Sequence, residues 1–484
     1  MIALLTTLYV ICALLLTIYA SSEMILLFTY WRYRNAPNPI PPVKSWPRVV
    51  VQLPIYNERY VVERLLNAVA ALDYPRDRLL VQLLDDSTDE TVEIASACIA
   101  ALAAAGLNIR HIRRENRTGY KAGALAHGLS LTDSELVVVL DADFVPAPDF
   151  LRRTVPYLAA DPGLGMVQTR WGHLNPFNNL LTRGQTLALD GHFVVEQTAR
   201  CRAGWLMSFN GSGGVWRAQC IRHAGGWRDL TLTEDLDLSY RAQLAGWRFL
   251  YLPDVVVPGE LPPQIAAYKQ QQARWAKGST QTLSHILNPL WHSRFSLPQR
   301  VMATLHLCQY IPHPLMVLLL LLTPPLILAH SLERLPLGLL GIVGLGPPLV
   351  YVISQRSLYP DWKRRLLAFP VLLALGTGIA WSNTQAVVGG LLGKKGEFRR
   401  TPKFARAWQG SGYALRHDPN AWVELFLAAY AVWGVILALR FSPALAPYLA
   451  VYGFAFGLVS LWGLHDRWEL WWQTTHQPQV HDGV

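Results

Sequence analysis

Cysteine is scarce in this chain, and several common motifs are missing. Among 484 residues there are five cysteines, Cys12, Cys98, Cys201, Cys220 and Cys308. They are scattered, with no CxxC pair and no zinc-ligand spacing, which argues against a disulfide framework or a zinc site and suits a reducing compartment. Charge is nearly absent from residues 1–29, where Glu23 is the only ionic side chain. The N-terminus has no basic start and no clear small-residue cleavage site. Its apolar run from Ile2 to about Phe28 outlasts a signal-peptide core, so a retained anchor is expected over residues 1–30. No Gly-Lys-Ser/Thr follows the Gly-rich stretch Phe209–Asn210–Gly211–Ser212–Gly213–Gly214, which excludes a phosphate-binding P-loop there. Those glycines are expected to let the backbone turn tightly or approach a ligand.

The formal net charge of +10 raises the question of nucleic acid, but recognised nucleic-acid motifs are absent. The cations cluster instead beside apolar segments: Arg32 and Arg34, Lys363 to Arg365, then Lys394 to Arg406. That is the bias of cytoplasmic membrane flanks, so membrane lipids are expected partners and nucleic acid is not.

Between the apolar ends lies a stretch, 48–300, that reads as α/β. A Pro-rich linker occupies 31–47. Arg48–Leu53, Leu79–Leu84, Ile109–Ile112 and Leu136–Leu140 read as buried strands. Helical patterns run from Asn57 through Ala71 and from Thr91 to Ala104. Strands alternating with helices, with polar residues at strand ends, imply an open, mainly parallel sheet covered on both faces, whose ligands bind at the carboxyl ends of the strands.

Four signals along this stretch carry chemistry. Asp141-Ala-Asp143 follows an apolar strand, and carboxylates at i and i+2 share one side of an extended chain. Together they could hold one hard divalent cation, Mg²⁺ or Mn²⁺, or they could merely cap a turn. Asp85–Asp86 ends another strand and could accept hydrogen bonds from a nucleoside, or cap the helix that follows. Thr233–Glu234–Asp235 opens a helical pattern, either as a cap or with Asp235 as a general base for an acceptor hydroxyl. Gln271, Arg274 and Trp275 stand at i, i+3 and i+4, on one helix face. Trp offers a platform for a sugar ring and Arg a partner for diphosphate, though a Trp/Arg membrane-interface anchor has the same pattern. Lys121 is a candidate phosphate partner or a surface lysine.

In this order, and followed by apolar helices, the four signals resemble family 2 glycosyltransferases of the cellulose synthase superfamily. Val167–Gln168–Thr169–Arg170–Trp171, Phe209–Asn210–Gly211, Gly214–Val215–Trp216–Arg217, Gly225–Gly226–Trp227 and Gly246–Trp247 are most similar to cellulose-synthase-like proteins that build mannan, glucomannan or xyloglucan backbones. The resemblance implies a GT-A fold, a UDP- or GDP-sugar donor, and transfer with inversion to a glycan. It places Tyr56, Glu58, Asp85 or Asp86, Lys121, Asp141 and Arg274 around the donor, and Asp141 and Asp143 around metal and diphosphate. It assigns catalysis to Asp235 with Glu234 beside it, and the acceptor to Phe209, Asn210, Gly211, Gln271 and Trp275. Phe398–Arg399–Arg400–Thr401–Pro402–Lys403 resembles the superfamily's Phe-x-Val-Thr-x-Lys gating loop, with Phe398, Thr401 and Lys403 matching and Arg400 replacing the Val. A glycolipid transferase with a lipid acceptor is the alternative reading. With a tail of 20 residues after Leu464, no second-messenger-binding domain is expected.

Five crossings are expected: one N-terminal, then Leu307–Ala329, Leu335–Ser354, Ala421–Arg440 and Ala444–Leu464 within a membrane region of 301–464. Leu366–Leu392 is flanked by basic loops on both sides. It is therefore expected to lie on the cytoplasmic face without crossing, ahead of the gating-loop-like stretch 393–418, with a sixth crossing as the alternative. This puts the N-terminus outside and the middle domain and the tail 465–484 inside. So few crossings imply a narrow channel or a homo-oligomer.

Overall fold

A computed structural model describes the chain except for residues 334–343, 395, 397, 399, 406–411, 416–417, 419 and 477–484. Its centre is a seven-stranded sheet. The four expected strands form within a residue or two of their expected bounds, as β1 (Val49–Ile55), β2 (Leu79–Asp85), β3 (Ile109–Arg113) and β4 (Leu136–Val139). Three more complete the sheet: β5 (Leu164–His173), β6 (Gly214–Arg217) and β7 (Arg248–Gly259). The order is β3-β2-β1-β4-β6-β5-β7. Only β6 runs antiparallel to its neighbours β4 and β5.

Apolar side chains on both faces make β1 a continuous hydrophobic run, the signature of a strand covered on both sides. Val49, Val51 and Leu53 pack on one face with helix Val62–Ala70. Val50 packs on the other with helix Tyr120–Ser130. The helices therefore leave β1 and β3 on opposite faces, and a crevice opens between the carboxyl ends of β1 and β4. Open α/β sheets bind ligands at such a switch point.

The helix expected from Asn57 begins later, at Val62. Asn57 adopts a left-handed φ of 55°. Its backbone N–H donates to Ser87 Oγ at 2.8 Å, and its Oδ1 accepts from Thr88 N–H at 2.9 Å. An Asn side chain that serves a neighbouring loop competes with helical hydrogen bonding. Here it ties the loop after β1 to the loop after β2, both of which reach the crevice.

Helices Ile2–Tyr33, Ala421–Phe441 and the 443–472 segment are long and apolar enough to cross a membrane. Two bent pairs bring the number to five if each is one span: Leu297–Leu307 with Pro312–Leu328, bent by 66°, and Trp362–Gly378 with Ala380–Leu391, bent by 41°. The chain is thus an integral membrane protein with three to five candidate spans. The second bent pair contains the segment expected to lie on the membrane surface, and a break of that kind suits a re-entrant loop as well as a broken span. The expected span Leu335–Ser354 lies partly outside the described residues. Its described remainder is a helix of 13 residues, Gly346–Leu358.

Candidate active site

The crevice deepens into a cavity. Each strand end contributes to its wall. After β1 come Tyr56 and Glu58, after β2 Asp86, and after β4 Asp141 and Asp143. Helix Glu234–Leu244 presents Glu234 and Asp235 from its first turn. Helix Ile265–Trp291 presents Gln271, Arg274 and Trp275 along one face, as their spacing requires. Asn210, Gly211, Lys121, Phe398, Thr401 and Lys403 complete the expected set on the wall.

Two expected residues stand elsewhere. Asp85 is buried away from the cavity wall: its carboxylate takes His111 Nε2 at 2.8 Å and Ser87 N–H at 2.8 Å. Burial opposes its charge, but those bonds outweigh it and hold its pKa below the usual carboxylate range. Of the aspartate pair, Asp86 is the one on the wall, fixed by Arg114 Nε at 3.0 Å. Phe209 is fully buried against Trp216 and lines a second cavity rather than the first. That second cavity continues from the first past Trp171, Leu189, Asn210, Asp235, Gln271 and Trp275, and reaches Tyr19 and Tyr351 of the apolar helices.

Charge is densely arranged. Lys121 Nζ lies 2.5 Å from Asp141 Oδ1, 2.9 Å from the Gly211 carbonyl oxygen and 3.8 Å from Glu234. Burial works against the Lys121 ammonium, but Asp141 and Glu234 outweigh it and raise its pKa. Lys403 Nζ lies 2.8 Å from Asp143 Oδ2, which also accepts the Glu260 N–H at 2.9 Å. Burial raises the Asp235 carboxyl to about 7, with Glu234 adding and Lys121 subtracting. Its Oδ1 accepts the Leu236 N–H at 2.8 Å. Gly211, with a φ of 86°, leaves no room for a side chain: a Cβ there would meet Asp235 Oδ2 at 2.7 Å. The glycine lets backbone approach the carboxylate closely.

Phe398, Arg400, Thr401 and Lys403 lie over this cavity. Phe398 stacks on Tyr120 at 5.8 Å and lies under the Arg274 guanidinium at 5.0 Å. Arg400 reaches Glu58 at 3.0 Å. Burial lifts the Glu58 carboxyl to about 8, with Arg400 and then Lys403 pulling it back.

The pair Asp141 and Asp143 offers hard oxygen ligands in one cavity. In this structure a lysine ammonium stands against each carboxylate, Lys121 on Asp141 and Lys403 on Asp143. The site therefore favours positive charge, and the pair offers the hard oxygen donors that a divalent cation takes. Sequence patterns did not single out Arg117, whose guanidinium lies 3.4 Å over the Tyr56 ring, or Glu260 and His173 on the wall. Glu260 follows the apolar run of β7, the same strand-end signal that marks Asp141. Arg117 has no comparable signal.

A family model described as glycosyltransferase like family 2 matches residues 47–278. The chain is 43% identical over 273 residues to glucomannan 4-beta-mannosyltransferase 2 of Arabidopsis thaliana, covering 54% of this chain and 51% of that protein. It is 45% identical over 239 residues to glucomannan 4-beta-mannosyltransferase 1 of Cyamopsis tetragonoloba, covering 49% and 45%. The chain thus spans about half the length of the curated relatives it matches. Among solved structures it is similar to the mannosyltransferase PcManGT from Pyrobaculum calidifontis, in complex with GDP-Man and Mn²⁺. That likeness has a TM-score of 0.57 at 22% identity and covers 80% of this chain and all of that one. It identifies the sheet and its helices as a GT-A-type fold. With their strand-end carboxylates and the Gln/Arg/Trp helix face, residues 47–278 belong to glycosyltransferase family 2.

Proposed function

We propose that this chain is an inverting membrane glycosyltransferase that moves mannose from GDP-mannose onto a growing β-linked glycan. One observation carries the reading. A single cavity gathers nucleoside-side groups (Tyr56, Asp86), diphosphate-side groups (Asp141, Asp143, Lys121, Arg274) and a candidate base (Asp235), and continues past Trp275 toward the apolar helices. The mannosyl names of the relatives favour GDP-mannose over UDP-glucose as donor. The basic flanks favour a cytosolic domain, five crossings and a N-terminus outside. A channel between so few helices is either narrow or shared with a second copy.

Asp141 and Asp143 would hold Mg²⁺ or Mn²⁺, which when bound offsets charge on the leaving diphosphate. Lys121 and Arg274 add fixed positive charge on that side. Trp275 and Gln271 hold the glycan end. Asp235 takes the proton of the attacking hydroxyl, and attack from the side opposite the diphosphate inverts the anomeric centre. Phe398, Arg400, Thr401 and Lys403 exclude water while the donor is bound.

The sign of the pH dependence follows from the Asp235 carboxyl. It must be ionised to accept a proton, and its pKa is raised to about 7. Transfer kcat/KM is expected to fall about tenfold per pH unit below that value and to level off above it, with Glu234 and Asp235 titrating as a pair. A pH–rate series with donor saturating and acceptor limiting checks it. A flat profile from pH 5 to 8 removes Asp235 as the base.

Purified protein with Mn²⁺ should convert labelled GDP-mannose to a high-mass, mannanase-sensitive product, and labelled UDP-glucose far more slowly. A single labelled lipid species would replace the glycan reading by that of a glycolipid transferase.

A further inference from the structure

The junction between the two cavities is shaped by a chain of side chains in which Asn210 alone has been assigned a role, toward the acceptor. Residues Gly191–Glu196 form a π-helix, a widened turn that often occurs at functional sites. His192 and Glu196, four apart, both line the second cavity. His192 Nδ1 lies 3.0 Å from Glu196 Oε2, and its Nε2 lies 3.0 Å from Asn210 Nδ2. Gln197 Nε2 donates to Asn210 Oδ1 and, at 3.0 Å, to the Ser208 carbonyl. The Asn210 backbone N–H donates to Gln168 Oε1 at 3.0 Å.

These contacts admit one consistent arrangement of protons. An ionised Glu196 carboxylate can only accept, so His192 Nδ1 carries the hydrogen. Nε2 then holds a lone pair and accepts from Asn210 Nδ2. That orients the Asn210 amide so that its Oδ1 faces Gln197. Among the described residues, one N–H of Nδ2 and one lone pair of Oδ1 take no further partner. Asn210 lines both cavities, and the next residue, Gly211, presses against Asp235 Oδ2. That N–H and lone pair therefore belong to a side chain at the point where an acceptor hydroxyl must meet its base.

Resting on the glycan-transfer reading, we propose that His192, held by Glu196, is a positioning residue that sets the Asn210 amide to hold the acceptor's terminal sugar hydroxyl against Asp235. Its role is toward the acceptor, not the donor: His192 and Glu196 line only the second cavity, away from Asp141, Asp143 and Lys403. Without the His192 lone pair, the Asn210 amide keeps only its bond from Gln197 and loses the partner that fixes its Nδ2.

The test compares His192→Phe, His192→Gln and Glu196→Gln in the full-length protein with a β-mannooligosaccharide acceptor. His192→Phe should lower transfer at least tenfold through a raised acceptor KM and raise the ratio of donor hydrolysis to transfer. Affinity for GDP-mannose should shift less than twofold. His192→Gln should restore much of the loss, because an amide oxygen can accept from Asn210 while its NH₂ reaches toward Glu196. Glu196→Gln, which frees the imidazole to adopt either tautomer, should fall between them. A His192→Phe protein with wild-type acceptor KM overturns the proposal. So does one that loses GDP-mannose affinity and transfer in equal proportion, which marks a structural role. If the wild type transfers to a lipid instead, the glycan reading fails, and the same comparison with that lipid still decides the role of His192.

Discussion

Asp235→Asn is expected to cut transfer by about 10³-fold, within the span usual for loss of a general base, while GDP-mannose still binds. The substitution conserves shape, and an amide oxygen can keep the bond that Oδ1 accepts from the Leu236 N–H at 2.8 Å. It also keeps the close approach at Gly211. What it removes is the only basic atom in that position. Lys121 retains Asp141 at 2.5 Å and Glu234 at 3.8 Å, so the donor side keeps its charge balance. Asp237→Asn serves as the control, since Asp237 sits on the same helix but is paired with Arg241 at 2.8 Å and does not line the cavity. Transfer and nucleotide affinity measured side by side decide the matter. Near wild-type transfer by Asp235→Asn would sink its role as the base.

The legible parts of this chain are those where one local pattern has one physical cause. β1, β2 and β4 are short, mainly apolar runs that end in polar residues, and buried parallel strands read that way, while β3 is an edge strand that mixes Ile with Arg and His. β5 and β7 carry other signals that mask the pattern. β5 holds buried Gln168 and Thr169, whose polar groups are met by the Ser212 and Gly213 carbonyls. β7 contains Pro253 and Asp254 where its pairing with β5 slips, from Thr169↔Leu252 to Arg170↔Val256. A break of that kind looks like a turn in sequence. At the site, the acidic signals and the Gln/Arg/Trp face were readable because their spacing determines which side they take. Which of Asp85 and Asp86 faces the cavity was not readable, because it depends on His111 and Arg114 on the neighbouring strand β3 and beyond. Nor was the His192 chain. It needs a π-helix, which shifts side chains off the 3.6-residue period on which sequence reading relies.

Asp143→Asn is expected to remove the divalent-cation dependence of donor binding and to weaken it by about 10²-fold, or roughly 2.8 kcal/mol at 1.4 kcal/mol per tenfold. Asp143 is 2% exposed and is held on two sides, by Lys403 Nζ at 2.8 Å and the Glu260 N–H at 2.9 Å. The asparagine can still accept the Glu260 N–H, so the turn after β4 should hold. What changes is the balance of charge. Lys403 faces Glu58 and Glu260 as well as Asp143, and those carboxylates are themselves engaged, Glu58 by Arg400 and Glu260 by Arg64, each at 3.0 Å. With Asp143 neutral, nothing in the pair Asp141 and Asp143 outcompetes water for a hard cation, because one carboxylate alone is a weak ligand. Nucleotide-sugar affinity in Mn²⁺ and in chelator is the measurement. The wild type should bind much more tightly with Mn²⁺, and Asp143→Asn should bind equally weakly in both. If Asp143→Asn keeps the full gain from Mn²⁺, the cation is held elsewhere. The Asp143–Lys403 pair would then serve to fasten Lys403 over the cavity and nothing more.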